Sequence, residues 1–256
     1  MRKQREKYPS IAERIIKESD IILEVLDARF VQETRNEELE EKIKRDRKFL
    51  IYVLNKSDLV RNLKSELNNS DLFVRISCKK RENIKKLRDM IKSLSKKIQK
   101  NTRIVVGVIG YPNTGKSSLI NLLIGKSSAG TGADAGFTKG IQKLKLGNDV
   151  VLLDTPGVIP RKDYSTTEKE KIAKQAIVGG RSYSQVKDPE IVIMDLIREY
   201  PDALKNHYKI KSDSNSEILV EELGRKKGFL KKGGEVNTDK TARFILKEWQ
   251  AGQIKI

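Results

Sequence analysis

The sequence has little of what would build a covalent or metal-held scaffold: one cysteine, Cys78, and one histidine, His207, in 256 residues. A lone cysteine excludes an internal disulfide and any cysteine-based zinc finger. No apolar run approaches the roughly 18 residues that a membrane span needs. Met1-Arg2-Lys3-Gln4-Arg5-Glu6-Lys7 is followed by no apolar core, so no secretory signal is read there, and the expectation is a cytoplasmic protein without a membrane partner. There is no internal repeat and no low-complexity tract. Acidic residues are also scarce, with 35 Asp+Glu against 53 Lys+Arg, a formal net charge of +18. Adaptation to heat raises both signs together. An excess of one sign points instead to a polyanionic partner, nucleic acid before membrane.

What is present is an alternation of apolar runs and charged helical segments. Ser10-Ile11-Ala12-Glu13 has the spacing of a capping box, which predicts a helix start. Strands are predicted at Ile21–Leu26, Phe49–Leu54 and Leu72–Ile76, ending at Asp27, Asn55 and Ser77. Helix-like segments without internal proline lie between them, as a parallel sheet with crossover helices requires. Ile84, Leu87, Ile91, Leu94 and Ile98 form one core-facing helical stripe. Its flanks are basic: Lys79 to Arg103 holds 11 basic and 2 acidic residues. That density suits either a solvated helix face or a nucleic-acid contact. Ile104–Ile109 reads as a further buried strand, Ile141–Leu146 as a half-exposed one, and Val150–Leu153 as one ending at Asp154.

After about Pro160 the texture becomes helical. Four helical patterns are read there: Lys169 to Ile177, a segment opened by Asp188-Pro189 and stopping before Pro201, Ile218 to Leu223 ending at Gly224, and Thr238 to Gln250. Arg225-Lys226-Lys227-Gly228-Phe229-Leu230-Lys231-Lys232 makes a basic loop with one aromatic. The expected architecture is an α/β nucleotide-binding domain over residues 1–159, with a mostly parallel sheet and helices on both faces. A small all-α domain is expected over 160–256.

The chemistry concentrates in short motifs at strand ends. Gly110-Tyr111-Pro112-Asn113-Thr114-Gly115-Lys116-Ser117 fits the phosphate loop G-x-x-x-x-G-K-[ST], between a buried strand and a helix. Its glycines let backbone N–H groups close on phosphate oxygens, and the helix N-terminus adds partial positive charge. Lys116 reaches the outer phosphates, the Ser117 hydroxyl suits Mg²⁺, and Ser118 completes the first turn. Asn55-Lys56-Ser57-Asp58 is N-K-x-D at a strand end. The Asp58 carboxylate can accept from both N1–H and the 2-amino group of guanine, a donor pair adenine lacks. The Lys56 stem can pack on the base, and Asn55 can tie this loop to the phosphate loop. Ser77-Cys78-Lys79 is close to the S-A-K loop that backs guanine, with Cys78 as a small buried filler. Asp154-Thr155-Pro156-Gly157 is D-x-x-G: Asp154 suits an outer-shell Mg²⁺ contact and the Gly157 N–H suits the γ-phosphate. Thr138 is the candidate for the segment that senses γ-phosphate and for a second Mg²⁺ ligand. Lys116 and Thr138 are the catalytic candidates.

Ordinary GTPases run phosphate loop, switch threonine, D-x-x-G, N-K-x-D, then S-A-K. This chain runs Asn55–Asp58, Ser77–Lys79, Gly110–Ser117, Thr138, Asp154–Gly157, the same parts circularly permuted. In this order and in its phosphate loop it resembles the YlqF/YawG family of circularly permuted GTPases. Asp27-Ala28-Arg29, Thr34-Arg35-Asn36 and the Lys240-Thr241-Ala242-Arg243 to Trp249 region resemble family segments too. The resemblance implies GTP/GDP as ligand, GTP hydrolysis, and assembly of the large ribosomal subunit through rRNA contacts. A monomer is the expected state.

The sequence also departs from that family. It has no F-P-G-H-M segment, whose histidine is implicated in hydrolysis in several bacterial members. His207 lies in the helical region, where a surface or packing role is expected. Val158 follows Gly157, where many GTPases place a glutamine that orients water, and an apolar side chain cannot do that. Asn113 within the phosphate loop suits a K⁺ ion beside the phosphates, or simply caps the turn. The expectation is a GTPase that is slow alone and faster with K⁺ and large-subunit particles. The alternative is a nucleotide-gated RNA-binding module whose turnover is incidental. A membrane or signalling GTPase fits less well with the basic charge and the absence of a lipidation signal.

Overall fold

The computed structural model describes residues 8–60, 67, 71–125, 142–146, 150–154, 169–210 and 215–256. The chain divides into two compact units, Met1–Ser165 and Thr166–Ile256.

The first unit is built on α1 (Tyr8–Glu18), β1 (Ile21–Asp27), α2 (Val31–Thr34), α3 (Glu37–Arg45), β2 (Phe49–Asn55), β3 (Phe73–Arg75), α4 (Ile84–Lys97), β4 (Ile104–Gly110), α5 (Lys116–Ile124), β5 (Gln142–Lys145) and β6 (Val150–Asp154). The strands form one sheet in the order β3-β2-β1-β4-β6-β5. Five run parallel, and β5 pairs antiparallel with β6 at the edge. Alternation along β1 assigns the two faces. Ile21, Leu23 and Val25 join the core that α4 and α5 cover, through Leu87, Ile91, Leu119 and Ile120. Ile22 packs on the other face with Ile15 and Ile16 of α1 and Ile43 of α3. Every residue of β1 is buried, as expected of a central parallel strand with helices on both sides.

This topology places the site. From β1 the chain moves outward to β2 and β3; from β4 it moves the other way, to β6 and β5. The order therefore reverses between β1 and β4. In open α/β sheets, ligands bind at such a reversal, beyond the carboxyl ends of the strands. Gly107 on β4 lets α1 approach closely, since a Cβ there would lie 2.5 Å from Ser19 Oγ and 2.6 Å from Ile15 Cγ2.

The second unit holds α6 (Lys169–Val178), α7 (Pro189–Glu199), α8 (Pro201–Tyr208), α9 (Ser216–Lys227) and α10 (Thr238–Gln250). Among its described residues, an isolated bridge between Leu230 and Val236 is the one piece of β pairing. Trp249 is fully buried, and its indole N–H donates to Ile177 O at 2.9 Å, fastening α10 to the end of α6. Gln250 Nε2 donates to Ala176 O and Arg181 O, both at 2.8 Å.

Several boundaries differ from the sequence expectation. Helix α1 begins at Tyr8, so Ser10 lies inside its first turn rather than capping it. The third strand narrows to Phe73–Arg75, although Ile76 N still donates to Leu54 O. Pro201 ends one helix and also starts another, α8, which the sequence pattern did not reveal. Proline is tolerated in a first helical turn, where its missing N–H has no partner to lose. Gly224 does not end α9, which continues to Lys227 and closes at Gly228 in the left-handed region (φ 68°). A Cβ at Gly224 would lie 2.3 Å from Val236 Cγ1 and 2.9 Å from Thr241 Oγ1. The glycine is there for close packing, not for a stop.

Candidate nucleotide-binding site

The phosphate loop leaves the carboxyl end of β4 and enters α5. Gly110 has φ 148°, and a Cβ on it would lie 2.3 Å from Val25 O of the neighbouring strand. Gly115 (φ 96°) is the N-cap of α5, and among the described residues no side chain caps that end. The helix thus presents its first turn of N–H groups beneath the loop, the arrangement that takes up an anion. Lys116 is 7% exposed. Its ammonium donates to Gly110 O at 3.0 Å and Tyr111 O at 2.7 Å, so the positive charge is fixed against the loop's own carbonyls. The fully buried Thr114 closes the turn through Oγ1 to Tyr111 O at 3.0 Å. Ser117 and Ser118 are half-buried in the first turn. Asn113 is half-buried with φ 59°. Asparagine tolerates that left-handed backbone better than most residues, so the turn gives a reason for its presence independent of any cation.

Asn55 joins the three loops. It ends β2 at 2% exposure; its Nδ2 donates to Thr114 O at 2.8 Å, and its Oδ1 accepts from Cys78 N at 3.1 Å. The phosphate loop, the N-K-x-D loop and the Ser77–Lys79 loop are thereby held by one side chain. The Nδ2 also occupies the space beside Gly115, 2.2 Å from where a Cβ would stand. Asp58 lies in a 3₁₀ turn, Ser57–Leu59. Ser77 Oγ donates to Asp58 Oδ1 at 2.6 Å and accepts from Lys80 N at 3.0 Å. Ser57 N donates to Ile76 O at 3.1 Å. Lys79 is exposed.

Lys56 has a role that its motif did not disclose. Its ammonium is 2.7 Å from Asp27 Oδ2 at the end of β1, and Arg29 pairs with the same carboxylate at 2.8 Å. Burial by itself would raise the Asp27 carboxyl, but Arg29 and Lys56 outweigh it and hold it well below the usual carboxylate range. Burial lowers the Lys56 ammonium, with Asp27 opposing. The head group is thereby anchored to the end of β1. In the sequence, Arg29 and Thr34 stand out only by resemblance, and Asp27 otherwise only as a strand end. The signal that marks them is a carboxylate at the end of a buried strand followed two residues later by arginine. Thr34 Oγ1 accepts from Asp27 N at 3.2 Å and donates to Phe30 O at 2.6 Å, which steadies this turn. Arg35 does other work: it pairs with Glu40 at 2.6 Å, beside a buried Glu24 whose carboxyl is pushed well above the usual range by burial and then by Glu40.

Cys78 packs against the core that α4 and α5 cover. Burial pushes its thiol up to about 12. At pH 8 the thiolate fraction is then about 10⁻⁴, against about one quarter for an exposed cysteine. Alkylation by iodoacetamide at pH 8 is expected to be roughly a thousandfold slower than for free cysteine and to rise about tenfold per pH unit. A rate matching free cysteine would contradict this burial. His207 lies on α8, 3.4 Å from Glu248 Oε2, which also accepts from the Tyr208 hydroxyl at 2.8 Å. It belongs to the packing of α8 on α10.

Asp154 ends β6, with its backbone in register with Val108 of β4; its side chain lies outside the described residues. Thr138, Gly157 and Val158 also lie outside them. Among the described residues no three His, Cys, Asp or Glu side chains gather as a metal cage.

A parallel sheet with a glycine loop at its reversal point, cross-tied to an N-K-x-D loop from a strand that precedes it in the chain, defines a P-loop GTPase domain with its motifs in permuted order. The comparisons agree. A family model described as 50S ribosome-binding GTPase matches residues 105–222. The chain is 40% identical over 99% of its length to an uncharacterized GTP-binding protein of Methanocaldococcus jannaschii, covering 68% of that protein. It is 31% identical over 98% of its length to the GTPase grn1 of Schizosaccharomyces pombe, spanning 61% of that relative. The crystal structure of GNP-bound YlqF from T. maritima matches with a TM-score of 0.66 at 26% identity, over 98% of this chain and 97% of that one. The chain belongs to the YlqF/YawG family of circularly permuted GTPases.

Proposed function

We propose that this chain binds GTP and GDP with Mg²⁺ and hydrolyses GTP while assembling the large ribosomal subunit, through contacts to rRNA. The observation that carries the reading is Asn55, one buried side chain bonded to both the phosphate loop and the loop backing the base site. A site so tied selects a ligand with phosphates at one end and a base at the other. Asp58 reads guanine, and Ser77 holds its carboxylate in place. Lys56 supports the base through its stem, and Lys116 carries charge to the outer phosphates. The donors fit Mg²⁺: the ion keeps waters and phosphate oxygens and asks the protein for few ligands, here Ser117, with Thr138 and Asp154 expected beside it. Bound there, Mg²⁺ supplies neutralisation of charge on the phosphates. Asn113 is the residue that would face K⁺.

The matching family, 50S ribosome-binding GTPase, supports a ribosomal partner. So do two basic surfaces. On α4, Lys85, Lys86, Lys92 and Lys96 are exposed, while Arg88 donates to Leu122 O and Leu123 O at the end of α5. In the second unit, Lys240 lies 4.6 Å over the Phe229 ring and Lys227 lies 5.0 Å over the Phe244 ring, a basic and aromatic end suited to RNA. We assign the rRNA contact of residues 160–256 to that end, the work of a monomer to the whole chain, and its place to the cytoplasm. No helix among the described residues is long and apolar enough to cross a membrane.

The test is phosphate release with and without large-subunit particles, in K⁺ and in Na⁺. Slow turnover alone, rising with particles and with K⁺, is expected. Equal turnover in all four conditions would sink the reading. The rival reading, a nucleotide-gated RNA binder, rests on Val158. It predicts that a variant which binds GTP without hydrolysing it still supports subunit assembly.

A further inference from the structure

The second unit carries a surface of the opposite character to its basic end. Helices α7 and α9 border a groove of about 780 Å³. Met194 and Ile218 lie in it at 53% and 43% exposure, two of the four large apolar side chains exposed among the described residues. Its rim carries Glu190, Glu217, Glu221 and Glu222, and among the described residues no basic side chain lines it. Glu190 and Glu217 sit in the first turns of their helices, where the macrodipole favours them. Glu221 and Glu222 have no such reason, and Glu221 pairs with the exposed Arg225 one turn on. Four carboxylates around an apolar floor stand out in a chain with net charge +18.

We propose that this groove docks a basic amphipathic segment of a partner protein, seating apolar side chains against Met194 and Ile218 and Lys or Arg against the four glutamates. Charge complementarity selects this occupant. Phosphates would be repelled from the rim, so RNA is left to the basic end. A second copy of this strongly positive chain would have to overcome repulsion elsewhere to reach the groove. Helix-in-groove recognition is read as apolar anchors at i, i+3, i+4 and i+7. Because α9 is acidic where it lines the groove and basic at Arg225-Lys226-Lys227, the same helix can hold protein at one end and RNA at the other.

The experiment uses the full chain and fluorescein-labelled synthetic peptides: a Leu/Lys amphipathic helix, the same composition scrambled, and a Leu/Glu counterpart. The Leu/Lys helix is expected to bind at least tenfold tighter than either control. Glu221→Lys with Glu222→Lys, and separately Met194→Ser with Ile218→Ser, are each expected to weaken it at least tenfold, with the thermal melt and nucleotide affinity unchanged. Should a variant fold poorly, hydrogen exchange on the unaltered protein decides: protection on peptide addition must fall on residues 190–194 and 216–222. Equal binding of the scrambled peptide, or protection elsewhere, overturns the proposal. So does displacement of the Leu/Lys helix by an RNA oligonucleotide, or a concentration-dependent dimer abolished by Met194→Ser.

Discussion

Asp58→Asn is expected to lower GTP affinity by about 10²–10³ and to raise affinity for xanthosine triphosphate. Guanine offers two donors, and the Asp58 carboxylate offers two acceptors. An asparagine keeps one acceptor and turns a donor toward the 2-amino group, so one hydrogen bond to a charged group is lost and a donor faces a donor. Hydrogen bonds to charged groups contribute about 1.5–3 kcal/mol each, and every 1.4 kcal/mol is about tenfold in affinity. The structure decides which atom turns. Ser77 Oγ donates at 2.6 Å to Oδ1 of Asp58, so the substituted side chain keeps its oxygen on Ser77 and aims its amide at the base. Xanthine, with a carbonyl where guanine has its amino group, accepts from that amide. Calorimetry with GTP, XTP and ATP measures all three affinities. An unchanged GTP affinity, or ATP binding that exceeds GTP in the parent protein, would remove Asp58 from the base site.

Asn55→Ala is expected to lower nucleotide affinity by about tenfold to a hundredfold and to destabilise the empty protein by about 2–4 kcal/mol. The alanine leaves Thr114 O and Cys78 N without the partners they now have, and an unsatisfied buried group costs about 1–3 kcal/mol. It also opens the space beside Gly115, where the Asn55 amide packs, so the loop loses its brace as well as its bond. Asn55→Asp is expected to be worse for binding, because a carboxylate can still accept from Cys78 N but repels Thr114 O and the incoming phosphates. Thermal melts and GDP calorimetry on the pair test this. If Asn55→Ala bound nucleotide as the parent does, the cross-tie would be structural only.

Much of the first unit was legible from residue order because its signals are local. Strands β1, β2 and β4 announced themselves as buried apolar runs, since central parallel strands have no wet face and need no polar alternation. The glycine loop and N-K-x-D were legible because backbone conformation and donor patterns restrict those positions to few residue types. Asn55 as the tie between loops could be anticipated from its motif, though its second bond, to Cys78 N, could not. Edges and ends were less legible. Strand β3 is shorter than its apolar run, because end residues are held by few neighbours.

The sequence by itself determined the kind of chemistry: which strand ends carry the phosphate-loop and N-K-x-D motifs and in what permuted order, while its charge set only the expectation of a polyanionic partner. Only the tertiary structure decided what depends on residues distant in the chain meeting. It turned Gly224 from a helix stop into a point of close packing against Val236. It gave Lys56 a buried carboxylate 29 positions away, and it gathered glutamates from α7 and α9 around one apolar groove. The reason is physical: propensity, capping and turn geometry act over a few residues, whereas burial and ion pairing depend on which surfaces the fold brings face to face.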